Sequence, residues 1–278
     1  MELRKRLEKD FHNIIRTVHE DELVAKTRWE PALEQTIKTN PLWANMKYYS
    51  IERKSRSIVT QWYGDNCKGK RVLDYCSGNG EDGFLIAQNG AAQVVGIDIS
   101  EISISNCLNN AKKLNLPNIS FQVMDAESLD FSDESFDIIT EYGALHHLNL
   151  DRAYAEMARV LRPDGKAICV EALGHNPIIK LYRKLTPHLR TAWEAEHILR
   201  KEHIAHARDY FHEVDIIGFY HLATLGAVPF RTSALFDKIL TALESIDGIL
   251  LKLPFLKWQA WHVIFVLSKP QKRVARKD

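Results

Sequence analysis

Charge of one sign is missing from this chain of 278 residues: 37 Lys and Arg stand against 36 Asp and Glu. No net positive field is available to gather a polyanion at physiological salt, so nucleic acid is not an expected partner. Cysteine is scarce and scattered. Cys67, Cys76, Cys107 and Cys169 form no C-x-x-C pair, which argues against a zinc ribbon or disulfide framework and fits reduced thiols in a cytoplasmic protein. Long apolar runs are also absent. The stretches 83–97 and 216–230 contain Gly, Asn, Gln or His and fall short of the roughly 18 apolar residues that a membrane span needs. The start, Met1 to Arg6, is charged from Glu2 onward and lacks the apolar centre of a secretion signal, so export is not expected. With 13 Gly, 9 Pro and 45% hydrophobic residues, the chain is neither fibrous nor disordered and can bury a large core.

The hydrophobic period divides the chain. Over residues 1–65, Leu3, Leu7, Phe11, Ile14, Ile15 and Val18 recur at helical spacing, and a second segment carries Trp43, Met46, Tyr49 and Ile51; this predicts an N-terminal helical arm. From Lys70 the pattern becomes short β-branched runs: Arg71 to Asp74, Ala92 to Asp98, Ile119 to Val123, Phe136 to Thr140 and Lys166 to Val170. Helix-period stretches separate them, as in an α/β fold with a doubly wound, mostly parallel sheet. Val214 to Tyr220 and Ala260 to Leu267 are candidates for a sixth and a seventh strand. The expected organisation is an arm or lid over 1–65, a ligand-binding core over 66–172, the rest of the sheet with a helical cap over 173–268, and a basic tail over 269–278. In that tail Lys272, Arg273, Arg276 and Lys277 form either a solvated end or a weak contact for an anionic membrane surface.

The first strand runs into Tyr75-Cys76-Ser77-Gly78-Asn79-Gly80, glycines that let backbone approach a ligand where a helix begins. Gly78, Gly80 and Gly83 also spell G-x-G-x-x-G, with Asp98 about 20 residues on, as in a nicotinamide-dinucleotide site. Asp74 argues against that reading, because it would repel a pyrophosphate. A cationic ligand suits it better: an ammonium or sulfonium near Asp74 and ribose hydroxyls on Asp98 together describe S-adenosylmethionine. The bland alternatives are a strand-end acid at Asp74 and a turn former at Asp98.

The segment Val72 to Gly80 resembles the first motif of class I S-adenosylmethionine-dependent methyltransferases, of the small-molecule (type 11) group, which have a Rossmann-like methyltransferase fold. Val95 to Ser100 is similar to that family's ribose turn, Met124 to Leu129 to its adenine-side loop, Phe136 to Leu148 to its fourth-strand motif, and Arg159 to Gly165 to the turn before its fifth strand. The resemblance covers about residues 70–172. It implies S-adenosyl-L-methionine as cofactor, held by Asp74, Cys76, Gly78, Asn79, Gly80, Asp98 and Ile99, with Asp125 and Ala126 at the adenine and Glu141 lining the donor pocket. Cys76 departs from the family's pattern, which usually has glycine there, and this bears on the tightness of the turn.

Methyl transfer from a sulfonium is an in-line displacement that needs orientation and water exclusion more than a nucleophile. A hydroxyl acceptor would add a base, and His146 and His147, at the carboxyl end of the fourth strand, stand where the crevice rule puts one; packing and capping are their other reading. An amine acceptor would need only a carboxylate such as Glu141 or Glu171. Tyr48 and Tyr49 on the arm either pack or form a lid. Glu171, His175 and Arg183 are expected on the acceptor side, with an ion pair to Glu194 or Glu196 as the alternative for Arg183. The apolar segment 222–258 reads as a helical layer or homodimer face, or as a pocket for an aromatic or lipid-like small molecule. His203 and His206 share a helical face, but no carboxylate or Cys set completes a metal site and none is expected. The function expected is methylation of oxygen or nitrogen on a small metabolite; the rivals are a nicotinamide-dependent oxidoreductase and a non-methylating adenosyl-ligand protein of the aminopropyl transferase or pericyclase type.

Overall fold

A computed structural model describes residues 2–16 and 33–271; Val18 and the basic residues Lys272, Arg273, Arg276 and Lys277 lie outside the described residues. The arm holds α1 (Leu3–Arg16), α2 (Leu33–Thr39), a 3-10 stretch Pro41–Ile51 and α3 (Arg53–Asn66). The central alternation follows as β1 (Arg71–Tyr75), α4 (Glu81–Gln88), β2 (Gln93–Asp98), α5 (Glu101–Leu114), β3 (Ile119–Val123), β4 (Phe136–Tyr142), α6 (Leu150–Val160) and β5 (Leu161–Ala172). Then come α7 (Pro177–Leu185), α8 (Ala192–His197), α9 (Lys201–His206), β6 (Phe211–Tyr220), α10 (Phe236–Leu250) and β7 (His262–Pro270).

The seven strands form one sheet in the order β3-β2-β1-β4-β5-β7-β6. β1 to β5 are parallel, and β7 runs antiparallel between β5 and β6. The β-branched runs become strands because both faces of a parallel sheet are covered. Alternation along β1 splits the core: Leu73 and Tyr75 pack with α6, while Val72 packs with Val59 and Tyr63 of α3 and Ile86 of α4. Asp74 shares the Val72 side, which aims it at α4.

The arm's first helix forms as its period predicts, but it is turned the other way. Leu3, Leu7 and Ile14 are 69%, 53% and 62% exposed, whereas Lys5 and Glu8 are only 8% and 4% exposed. The surface beneath α1 is acidic: Arg4 pairs with Glu127, and Lys5 with Asp125 and Glu127. Matching buried carboxylates outweighs burying leucines there, since an unpaired buried charge costs several kcal/mol. In the apolar 222–258 segment, Ala227, Val228 and Leu240 build a small core with Ile51, and Phe230, Leu235, Ile249 and Phe255 remain exposed. No helix among the described residues is long and apolar enough to cross a membrane.

Candidate active site

After β1 the chain turns through Cys76, Gly78 and Gly80 at φ +57°, +51° and +81°. Left-handed backbone costs a residue with a Cβ about 1–2 kcal/mol, so Cys76 keeps the shape of the turn under strain rather than relaxing it. Gly83 is required for space: a Cβ there would stand 2.7 Å from Asp74 Oδ2. Its N–H instead donates to that oxygen at 3.1 Å, and the Thr140 hydroxyl donates to Oδ1 at 3.3 Å. Burial, aided by the Asp82 charge, pushes the Asp74 carboxyl up to about 8, so a cation beside it would restore its ionised form.

Asp98, at the end of β2, spends its carboxylate on the loop itself. Oδ2 accepts the N–H of Gly78 at 2.9 Å and Oδ1 that of Ser100 at 2.8 Å. Asn79 is fully buried, Gly80 caps α4, and Ile99 sits half-buried in the turn to α5. Across the cleft, Asp125 Oδ1 accepts the N–H of Glu127 at 2.9 Å, and the Ala126 carbonyl accepts the Tyr75 hydroxyl. α1 lies over these residues: besides its ion pairs, Ser100 donates to Asn13 Oδ1 at 2.7 Å, and Arg4 donates to the His147 carbonyl at 2.9 Å.

The 3-10 turn Leu145–His147 follows β4. Glu141 accepts the N–H groups of Ala144 and Leu145, and Glu171 accepts that of Leu145 at 2.6 Å and faces Nδ1 of His146 at 2.7 Å. Both acids are buried, and burial pushes both upward. They therefore brace the Leu145–His147 turn, Glu171 alone reaching His146, and neither is in the wall of the cavity; the donor-pocket place expected for Glu141 and the acceptor-side place expected for Glu171 are not where the structure puts them. Burial and the neighbouring His147 bring His146 down to about 3. For His147, burial opposes the charge, but the carboxylates of Glu8, Glu194 and Glu171 together outweigh it and the imidazole ends above its ordinary value. His147 Nδ1 donates to Glu8 Oε2 at 3.0 Å, and His12 Nε2 is 3.7 Å from the same oxygen.

A cavity of about 410 Å³ joins the donor loop at Asp74, Cys76 and Gly78 to His146 and His147. Its far wall includes Tyr48, Tyr49, Ile178, Ile179 and Arg183. Tyr48 packs on Tyr182 and Trp261, with ring centroids 5.2 and 5.6 Å away. Arg183 is committed to Glu194, by a 3.0 Å ion pair and a hydrogen bond to its carbonyl, the alternative that the sequence left open. His175 stands apart from the cavity: it accepts the Lys201 N–H at 3.0 Å and packs against Trp258. His206 pairs with Asp151 and Asp209, so it does not share a ligand set with His203. Glu52 and His262 are among the cavity residues that the sequence reading missed. Glu52, which burial pushes up to about 8, lies 3.3 Å from Nδ1 of His262; they are 210 positions apart in sequence, and no spacing signal joins them.

Comparison with known proteins agrees with this geometry. The family description "Methyltransferase domain" matches residues 66–213, just over half of the chain. Over 112 residues the chain is 36% identical to a phthiotriol/phenolphthiotriol dimycocerosates methyltransferase of Mycobacterium ulcerans, covering 40% of each protein. Over 108 residues it is 39% identical to the ubiquinone/menaquinone biosynthesis C-methyltransferase of Rickettsia prowazekii, covering 36% of this chain and 43% of that one. The match thus spans about two fifths of the length of these curated relatives. Among solved structures, phosphoethanolamine N-methyltransferase 2 of Haemonchus contortus, in complex with phosphomonomethylethanolamine and S-adenosylhomocysteine, has the same fold. The TM-score is 0.59 at 18% identity, over 89% of this chain and 61% of that one. The matched region contains the glycine loop on Asp74 and the acid closing β2, and the chain belongs to the class I S-adenosylmethionine-dependent methyltransferases.

Proposed function

We propose that this protein transfers the methyl group of S-adenosyl-L-methionine to an oxygen or nitrogen of a small, partly apolar acceptor. The observation that carries this reading is the continuity of one cavity from the Asp74–Gly78 loop to the His146–His147 turn and an aromatic wall. Its volume lies in the range typical of sites for small molecules.

The cofactor, when bound, supplies an electrophilic methyl carbon on a sulfonium sulfur. Asp74 favours its positive charge, and Asp98, with the backbone that it braces, receives the ribose. Asp125 and Ala126 form the adenine side beneath α1. Tyr48, Tyr49 and Trp261 exclude water and orient the acceptor, and Glu52 with His262 gives that wall a polar end. His147, the stronger base of the histidine pair, would take the proton of a hydroxyl acceptor during transfer, or that of an ammonium acceptor before it, so that the acceptor offers a lone pair to the methyl carbon. An amine that arrives neutral loses its proton after transfer.

Isothermal titration with S-adenosylmethionine, S-adenosylhomocysteine and nicotinamide cofactors tests the reading. Micromolar binding of the sulfur ligands alone supports it, and an acceptor screen with labelled methyl donor then separates transfer from mere cofactor retention. Binding of a nicotinamide cofactor alone would overturn it in favour of an oxidoreductase.

A further inference from the structure

The cluster of Glu8, His12 and His147 lies beside the donor loop, and the donor–acceptor cavity is lined by two of its three members. Glu8 and His12 are four residues apart on α1, so they share a face of that helix. His147 comes from the turn after β4. One ligand atom from each residue lies within 4.8 Å of the other two. A tetrahedral zinc ion with ligands at its usual distances holds them roughly 3.3 Å apart, and here Glu8 Oε2 is 3.0 Å from His147 Nδ1 and 3.7 Å from His12 Nε2. Small rotations of the rings would suffice to admit the ion.

We infer that Glu8, His12 and His147 form a divalent-metal site of the zinc type that ties the arm to the carboxyl end of the sheet. Two imidazoles and one carboxylate suit zinc and its borderline neighbours, and do not suit magnesium or calcium, which take oxygen ligands. The second oxygen of Glu8 already accepts the Thr191 hydroxyl, the kind of outer contact that fixes a ligating carboxylate. The charges around the cluster are mixed: Arg16 bears on His12, Glu194 on His147, and the nearby Arg183 is neutralised by Glu194. Binding would need Nδ1 of His147 free of its proton: a cationic ring would release that proton to solvent, and a neutral ring would carry it on Nε2 instead. Three protein ligands leave a tetrahedral ion one position, on the side where His12 and His147 meet the cavity. Water or an acceptor oxygen would fill it.

A role for the ion beside the methyl donor rests on the proposed transfer, in which an ion-bound hydroxide would replace the ligated His147 as the base; uptake of the ion does not. Chelator-treated protein is titrated with Zn²⁺ by calorimetry and with Co²⁺ by visible absorption, with Mg²⁺ as control. One Zn²⁺ per chain is expected, with the intense visible bands of four-coordinate Co²⁺. Glu8→Gln and His12→Gln should each weaken Zn²⁺ binding more than tenfold with unchanged far-ultraviolet circular dichroism. His12→Gln guards against the chance that loss of the Glu8 charge loosens α1 by itself. Failure of the parent protein to take up one equivalent, or equal uptake by both variants, overturns the site. If zinc-loaded parent binds one ion but no S-adenosylhomocysteine, the methyl-transfer reading falls and the metal site stands.

Discussion

Glu171 Oε2 stands 2.7 Å from Nδ1 of His146, while its Oε1 accepts the Leu145 N–H at 2.6 Å. One buried side chain thus fixes both the turn and the ring. Glu171→Ala should destabilise the fold by about 1–3 kcal/mol, because it strands Nδ1 of His146 and leaves the Leu145 N–H only its 3.3 Å bond to Glu141. Glu171→Gln, which can serve both contacts and lowers the charge beside Glu141, should stay within about 1 kcal/mol of the parent. Chemical denaturation of the two variants measures the difference.

Asp74 makes cofactor binding pH-dependent. Burial holds its carboxyl at about 8 in the free protein, and a cation lowers it. S-adenosylmethionine binding should therefore release a proton below pH 8, tighten as pH rises towards 8, and level off above. The same shift acts on stability: the folded form holds the proton more tightly than the unfolded chain, so this contribution is complete below pH 3.8 and is lost as pH rises to about 8. Calorimetry in buffers of different ionisation enthalpy counts the proton, and Asp74→Asn should abolish its release.

Cys76→Gly should raise stability by about 0.5–1 kcal/mol. It removes the left-handed strain of a residue at φ +57° at the expense of some unfolded-state entropy. A drop of more than 1 kcal/mol in thermal or denaturant melts would mean that packing of the thiol outweighs the strain.

Asp98→Ala should weaken S-adenosylmethionine binding more than tenfold, since each charge-assisted hydrogen bond contributes roughly 1.5–3 kcal/mol. The carboxylate also braces Gly78 and Ser100. Asp98→Asn keeps one acceptor oxygen, so its loss should be smaller. Unchanged affinity in both variants would refute the ribose assignment.

The helix α1 should control cofactor exchange. Glu127, whose side chain is fully buried, faces Arg4 and Lys5, and the double variant Arg4→Ala, Lys5→Ala removes both cations. Dissociation of S-adenosylhomocysteine, followed by stopped flow, should speed up at least threefold, and thermal stability should fall, because a buried carboxylate loses two of its three cations and keeps only Arg152 at 3.7 Å.

The sheet was legible because its strands are buried on both faces, and β-branched runs bounded by turns have few other uses. The orientation of α1 was not. Its apolar period is real, yet which face turns inward depends on Asp125 and Glu127, more than a hundred residues away, and a helix's own periodicity says nothing about the charge beneath it. Similar reasons hid Glu52 and His262, which converge only when β7 enters the sheet. They also misplaced Glu171: its side chain lies behind His146 because of the pleat of β5, and nothing in the spacing between the two residues records that.

The order of strands has a consequence for biosynthesis. Of these seven strands β7 is the last to leave the ribosome, yet it lies inside the sheet, between β5 and β6. Until it emerges, β5 presents an open edge with no antiparallel neighbour, and β6 has nothing to pair with. Such edges invite pairing with other nascent chains, so the segment that brings Trp261 and His262 to the cavity also ends the interval in which the growing polypeptide is most exposed to chaperones and to aggregation.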